Sequence, residues 1–279
     1  MERQLLARRL PYRIVSTEGP GHATALARQA LREGVRFVVA VGGDGTVQEV
    51  VNGMIEDDGP VNADAVLGVV AAGSGSDFVR TFGLPGDASR AVRHLEGERV
   101  YAIDVMKAEF ATPNGVEARY VPNIAEVGLG ADVVSRAERL PRRLGRSRYF
   151  WGFWLSLGRY RPTPVTVGVD RKSFEGVANN VVVANCQFYG GGMKVSPRSY
   201  PGDGLLEVQI STGPKSQAFT LLPKIYRGEH VPHPHIKELR GRLIRVEAER
   251  PLRVEGDGEV LGTTPVTFTV LPEALTLKI

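Results

Sequence analysis

One cysteine, Cys186, is all that the 279 residues hold, so no intrachain disulfide framework can form, and such usage fits a reducing cytoplasm. No apolar run approaches the roughly 20 residues that a membrane-crossing helix needs. The N-terminal MERQLLARRLPYR is charged and lacks both the apolar stretch and the small-residue cleavage site of a secretory signal. Internal repeats and low-complexity linkers are missing too. Net charge is small, and a formal +4 does not argue for nucleic acid as a partner. What remains is the composition of a globular protein, 42% hydrophobic and 24% charged, with length for about two domains of ordinary size.

The most informative stretch is Val38–Gly53, VVAVGGDGTVQEVVNG. A β-branched run meets Gly42-Gly43-Asp44-Gly45-Thr46 and passes at once into helical spacing, with Val47, Val50, Val51 and Met54 on one face. This predicts strand, glycine turn and helix start. Glycines let the backbone approach a bulky anion, and free N–H groups at a helix N-terminus favour negative charge. Asp44 is unexpected in a simple anion cradle, because a carboxylate repels phosphate unless a cation or a donated hydrogen bond intervenes. The stretch therefore reads as a metal-assisted nucleotide-phosphate site.

Upstream, residues 2–10 predict a helix that stops before Pro11, and Tyr12–Ser16 a short strand. Thr17–Gly21 is a polar glycine loop, and Ala23–Glu33 a helix ending at Gly34. Phe37–Val41 is the next strand. Such alternation implies a parallel sheet with helices on both faces and ligands at the carboxyl ends of its strands. A strand should precede the first helix and none does: either the chain begins partway through its domain, or the start codon is placed too far downstream. Strand Ala65–Val70 runs into a second turn, Ala71–Phe78, which would lie beside the first. Ala88–Leu95 predicts a helix and Arg99–Val105 a strand carrying Asp104. From Lys107 onward strand follows strand: Ala118–Ile124, Val165–Val169, Asn179–Asn185, Leu205–Ile210, Leu243–Ala248, Leu252–Glu255 and Thr264–Val270. Helices are expected near Ala131–Leu140, Tyr149–Tyr160 and Lys215–Tyr226. The expected fold class is α/β plus mainly β: an N-terminal parallel-sheet nucleotide-binding domain (residues 1–105), a C-terminal antiparallel β domain (residues 106–279), and a cleft between them.

GGDGT followed by xxEVVNG, the GSGSDF turn about thirty residues on, and a late GDGE together resemble the bacterial diacylglycerol-kinase-like lipid kinases, which are related to sphingosine kinases. The similarity spans nearly the whole chain. GGDGT alone is less specific, since NAD kinases carry it as well. The resemblance implies ATP contacts at Thr17, at Gly42, Gly43, Asp44, Gly45, Thr46, Val47, Gln48 and Glu49, and at Gly73 and Ser74. It implies a magnesium and water network at Asp44, Asp77 and Asp104, and a second, structural magnesium site at Tyr200, Asp203 and Leu205. Asp257 would be the general base, with Glu259 its acidic neighbour. Read alone, Asp257-Gly258 and Asp203-Gly204 are hairpin signals. Two departures from the family pattern stand out: Ser76 occupies a place where asparagine is usual, and the first strand with its asparagine-proline and glycine loop is lacking.

Between Arg136 and Arg161 lie eight arginines, interleaved with Tyr149, Phe150, Trp151, Phe153 and Trp154. Two readings fit: a helix at the membrane surface, or an interdomain helix with a buried aromatic face. His230-Val231-Pro232-His233-Pro234-His235 has no cysteine or carboxylate cluster beside it to make a metal site, and Cys186 reads as a core residue. The expectation is thus a kinase using ATP and Mg2+ on a lipid with a free hydroxyl, diacylglycerol or similar. It would be cytoplasmic, peripheral to the inner face of the membrane, with no nucleic-acid partner and with oligomeric state, a homodimer included, left open. The rivals are NAD-kinase-like phosphorylation of a soluble acceptor and a non-catalytic nucleotide or lipid sensor.

Overall fold

The structure, a computed structural model, describes residues 11–73, 76–86, 90, 92–145 and 147–279. Helix α1 (His22–Arg32) buries Ala23, Ala27 and Leu31, spaced four apart on one face. It stops where Gly34 takes φ 92°, its N–H donating to Leu31 O at 3.1 Å while Val35 N–H donates to Ala30 O at 3.0 Å. This paired closure satisfies carbonyls that the helix end would otherwise orphan. Strand β1 (Phe37–Gly42) leads into α2 (Asp44–Met54); a small hairpin, β2 (Ile55–Glu56) and β3 (Gly59–Pro60), precedes β4 (Val66–Ala71) and the short helix α3 (Asp77–Thr81).

The expected strand at Tyr12–Ser16 does not form. Residues 11–18 have no regular structure up to the bend before α1, and Tyr12, Ile14 and Val15 stand 39%, 45% and 50% exposed. β-propensity alone does not make a strand; its N–H and C=O groups need a neighbouring ladder, and among the described residues none takes them. The helix expected over residues 2–10 lies outside the described residues. Of the one expected at Ala88–Leu95, residues 88, 89 and 91 lie outside them and Val92–Leu95 is a 3-10 turn.

The rest of the chain is β-rich: β5 (Val100–Thr112), β6 (Gly115–Val121), β7 (Ile124–Gly128), helices α4 (Leu129–Arg139) and α5 (Ser147–Arg159), β8 (Thr163–Val169), β9 (Lys172–Ala178), β10 (Asn180–Ala184), β11 (Leu206–Ser211), helix α6 (Ala218–Arg227), then β12 (Ile236–Gly241), β13 (Leu243–Ala248), β14 (Arg253–Gly256) and β15 (Glu259–Lys278). They join in the order β12-β11-β10-β7-β14-β15-β13-β8-β9, with β5, β6, β4 and β1 attached through β15. Among the described residues, parallel pairing is confined to β1 with β4 (Phe37↔Val66 through Gly42↔Ala71) and β4 with the end of β15 (Thr276↔Val66, Leu277↔Leu67). The ladders of the β-rich part are antiparallel, as its short connections require.

Two hydrophobic cores result, and β5 and β15 serve both. Ile103 and Val105 of β5, with Ala274, Leu275 and Leu277 of β15, pack with Leu31, Val51, Met54 and Phe78. Met106, Ala108 and Phe110 of β5, with Val266, Phe268 and Val270 of β15, pack instead with Val127, Val183, Ile210 and Ile244. The changeover coincides with a register shift between Leu271 and Leu275. A bulge leaves a backbone donor without its ladder partner; here fully buried Asp104 takes it, Oδ1 accepting Glu273 N–H at 2.8 Å. The division expected after Val105 falls inside β5, which continues unbroken from the first core into the second.

Candidate active site

Two glycine turns at the ends of β1 and β4 touch. Ala72 and Gly73 N–H both donate to Gly42 O, at 2.9 and 3.2 Å. A Cβ on Gly73 would stand 2.5 Å from Gly43 Cα, so the backbones cross at a distance only glycine permits. Gly43 precedes the first turn of α2, and a Cβ on Gly45 would meet open space, leaving one side of the turn free for a ligand. Ser74 and Gly75, the centre of the second turn, lie outside the described residues.

Asp44 has a structural task that explains its presence among glycines. Its Oδ2 and Oδ1 accept the N–H groups of Asp77 and Phe78 at 3.3 and 3.1 Å, capping α3 from a distance in sequence. Asp77 is buried; its Oδ2 accepts Gly191 N–H at 2.6 Å, and Arg80 Nε lies 3.5 Å from its Oδ1. Burial raises the Asp77 pKa, and the charge of Asp44 adds to this. The loop at Gly191 is thereby tied to the glycine turns.

Asp257 approaches from the β-rich side. Gly256 pairs with Glu259 across a two-residue turn in which Asp257 and Gly258 take φ 50° and 89°, the left-handed pair of a tight hairpin. Asp257 N–H donates to Ile124 O, and its Oδ1 accepts Ile124 N–H, both at 2.9 Å. Oδ2 is buried without a hydrogen-bond partner. Burial, with repulsion from Asp44 and Glu259, pushes the carboxyl up to about 8. Gln48, buried on α2, donates from Nε2 to Gly256 O at 3.2 Å, so the GGDGT helix grips the hairpin directly. Glu259 is itself raised by burial, against the pull of Arg119.

Sequence reasoning missed a second acidic group beneath the hairpin. Glu255 lies opposite Glu126 in the β14–β7 ladder. Glu255 is fully buried; Oε2 accepts Gly258 N–H at 2.9 Å, and Oε1 has no hydrogen-bond partner. Glu126 accepts Asn180 Nδ2 at 2.8 Å. Burial, and after it repulsion from Glu126, raise Glu255 well above the usual carboxylate range, and burial raises Glu126 to about 7. Only the spacing Glu255-x-Asp257 hinted at it; Glu126 is brought in by strand register alone.

Other expected residues stand elsewhere. Thr17 is exposed in the irregular segment before α1. Glu49 caps α1, its Oε2 accepting Ala23 N–H at 3.1 Å, and Val47 is buried in the first core. Asp104 serves the β15 bulge with Oδ1 and accepts Gly204 N–H at 2.7 Å with Oδ2, so both oxygens are committed away from the glycine turns. In the Tyr200–Leu205 turn the Tyr200 carbonyl accepts the N–H groups of Gly202 and Asp203, and Leu205 N–H donates to Asp203 Oδ1 at 3.1 Å. Arg240 Nη2 sits 2.6 Å from Asp203 Oδ2. A guanidinium already neutralises that carboxylate, and this donor set does not fit a further cation.

The surroundings of Asp44 fit magnesium better. Asp77 Oδ1 and Asp257 Oδ2 are buried without hydrogen-bond partners, and Asp44 repels both carboxylates. Among the described residues no cluster of three or more His, Cys, Asp or Glu is arranged as a metal cage; magnesium at phosphates takes one or two carboxylates and keeps waters, so it needs none. His230 is a core residue, Nε2 lying 3.0 Å from Val195 O and 3.2 Å from Gln209 Oε1. Cys186 is a buried free thiol.

Residues 1–108 match the diacylglycerol kinase catalytic domain, and residues 123–279 match the YegS C-terminal NAD kinase beta sandwich-like domain. A diacylglycerol kinase of Mycobacterium tuberculosis (strain ATCC 25618 / H37Rv) is 28% identical over 263 residues, covering 92% of this chain and 81% of its own length. One of Bacillus subtilis (strain 168) is 29% identical over 270 residues, with 92% and 82% covered. A crystal structure of a diacylglycerol kinase from Bacillus anthracis str. Sterne superposes with a TM-score of 0.72 at 25% identity, covering 98% of this chain and 87% of that one. With one family model spanning more than half its length and a second matching most of the remainder, the chain belongs to the bacterial diacylglycerol-kinase-like lipid kinase family.

Proposed function

We propose that the protein is an ATP-dependent lipid kinase that phosphorylates a hydroxyl of diacylglycerol or a similar lipid, in a cleft between a nucleotide-binding half and a β-rich lipid-binding half. One observation carries the reading: Asp257, with an uncommitted buried oxygen and a pKa raised to about 8, is clamped by Gln48 through Gly256 to the helix that begins at the glycine turn. A base of that strength is matched to an alcohol whose proton leaves as the new bond forms.

In the proposed reaction the N–H groups of the Gly42–Thr46 turn orient the phosphates, and Gly73 keeps the second turn close enough to share in this. The acceptor oxygen attacks the γ-phosphorus, the bond from that phosphorus to the ADP oxygen breaks, and the hydroxyl proton passes to Asp257 Oδ2. Asp44 and Asp77 would hold magnesium, which supplies neutralisation of the phosphate charge. Asp44 and Glu259 keep the field around Asp257 negative, which favours its proton-accepting role.

The test is Asp257→Asn, assayed for radiolabelled phosphate transfer from ATP to diacylglycerol. Loss of about a hundredfold or more, with folding retained, is expected; near-normal transfer would remove Asp257 from the mechanism. A parallel assay with NAD as acceptor addresses the rival that the description of the C-terminal domain keeps open.

A further inference from the structure

Helix α5 buries Gly152, Ser156 and Leu157 and leaves Phe150 and Trp151 54% and 51% exposed, so the buried aromatic face of the interdomain reading does not form. The ring that does go inward is Tyr160. One residue past the helix, its N–H still closes a helical bond to Ser156 O at 2.7 Å, and its side chain is buried, at 5% exposure. Its hydroxyl has no hydrogen-bond partner. A polar group in that position is destabilising unless something from outside the chain satisfies it. The hydroxyl lies beside Gly128 in the wall of a cavity of about 180 Å3, which Asp132, Arg250 and Arg253 also line. A Cβ on Gly128 would stand 2.7 Å from that hydroxyl, and φ there is 103°, so glycine keeps the space in front of it open.

We propose that this cavity, separate from the glycine turns, is a binding site for a phosphate monoester. Burial pushes the Tyr160 phenol up to about 12, so the hydroxyl stays protonated and can donate. Arg250 is held in place, Nε donating to Thr163 Oγ1 at 2.7 Å and Nη2 to Arg161 O, with Cζ 5.7 Å from the centre of the Tyr160 ring. The carboxylate in the lining, Asp132, is already paired with Arg253 Nη1, so two guanidiniums and one carboxylate leave a positive charge unbalanced. Helix α4 starts at Gly128 and turns its positive end toward the same space; its Leu129 and Gly130 N–H groups are taken by Asn179 O and Asn180 Oδ1, so it adds field rather than hydrogen bonds. Two guanidiniums and a hydroxyl donor suit the three oxygens of a phosphate group. The space equals roughly six waters at about 30 Å3 each, enough for phosphate with a short carbon stub. The β14–β7 ladder fixes the distance from the proposed base: Arg253 lies one step beyond Val254↔Val127, whereas Asp257 lies past Gly256↔Ala125 at the other end. Four residues of strand span about 13 Å, too far for one phosphate to serve both places. The product of the proposed reaction is itself a phosphate monoester; that link rests on the lipid-kinase reading, and the binding does not.

The test is isothermal titration calorimetry and thermal melting of the full chain, without ATP or magnesium and at constant ionic strength. The probes are sn-glycerol 3-phosphate and a water-soluble short-chain phosphatidate, with glycerol and chloride as controls. Saturable binding of a monoester is expected, with both controls silent. Tyr160→Phe, which removes the hydroxyl alone, and Arg253→Gln should each weaken it about tenfold or more. The ligand-free Tyr160→Phe protein should melt at or above the wild-type temperature, because an unsatisfied buried hydroxyl has gone. A lower melting temperature in Tyr160→Phe with binding unchanged would make the hydroxyl structural and overturn the proposal. So would no binding by the wild type, or binding that ATP displaces and both variants keep, which would put the anion at the glycine turns. Tyr160-dependent binding of glycerol 3-phosphate supports the site with a soluble ligand, and of phosphatidate alone supports it with a lipid headgroup. Such binding in a protein that phosphorylates no lipid would leave the site standing and remove the kinase reading alone.

Discussion

Gln48 and Gly256 are joined by a hydrogen bond across 208 residues of sequence, the amide of one core holding the hairpin of the other at 3.2 Å. The carbonyl it satisfies is part of a buried residue, and an acceptor there cannot turn to water instead. Gln48→Leu should therefore lower stability by about 1–2 kcal/mol. It should lower kcat by more than it raises KM for ATP, because the base is released while the glycine turn is untouched. Chemical denaturation and steady-state kinetics on the same preparation test both parts.

The raised pKa of Asp257 makes a statement about stability. Its folded value, about 8, lies above the ordinary carboxylate value, so the folded state holds a proton that the unfolded chain has released. Stability from this group is full at low pH and is lost as pH rises from about 4 to about 8. Asp257→Asn should consequently raise the melting temperature at pH 8, with the gain shrinking toward pH 5. Activity runs the other way: the wild type should lose kcat/KM as pH falls and Asp257 becomes protonated. A gain in melting temperature that does not vary with pH would contradict the assignment of this proton.

Asp44 caps α3 and has a proposed ligand role besides, and two substitutions separate them. Asp44→Asn keeps an oxygen for the α3 N–H groups and should retain most stability, while Asp44→Ala should cost about 1 kcal/mol. Both should raise the magnesium concentration needed for half-maximal transfer. A magnesium requirement unchanged in Asp44→Asn would leave the residue as a cap alone.

Arg240 beside Asp203 carries the prediction most unlike the family expectation. Chelation of divalent ions should leave the wild-type melting temperature unchanged, since a guanidinium occupies the position beside that carboxylate. Arg240→Ala should lower the melting temperature, and added magnesium should restore part of the loss only in the variant. A wild-type melting temperature that falls on chelation, with the fall abolished by Asp203→Asn and kept in Asp44→Asn, would show a cation in that turn.

What could be read in advance follows from how local each signal is. GGDGT, the helix after it and the stop at Gly34 announce themselves because β-branched runs, glycine turns and 3.6-residue spacing act within a few residues. The span of β15 was foreseen only at Thr264–Val270, because Pro272 and Glu273 interrupt the alternation. The strand is continuous only because Asp104, 169 residues away, satisfies the bulge. Glu126 gains its meaning from a register opposite Glu255, and Asp203 its partner from a neighbouring strand; neither contact leaves a mark at short range. Tyr12–Ser16 errs in the other direction: its composition suits a strand, but pairing requires a partner that composition cannot supply.

The two-core role of β15 bears on the order in which the protein can be made. β1, β4 and α2 leave the ribosome some two hundred residues ahead of Thr276 and Leu277, which pair with Val66 and Leu67 and put Leu277 into the first core. Until then the edge of β4 that will receive β15 is bare, and the glycine turns sit on an incomplete sheet. The first core is thus early in sequence but late in assembly. A fragment ending near residue 108 should emerge as a loosely packed, chaperone-dependent species rather than as a small ATP-binding protein.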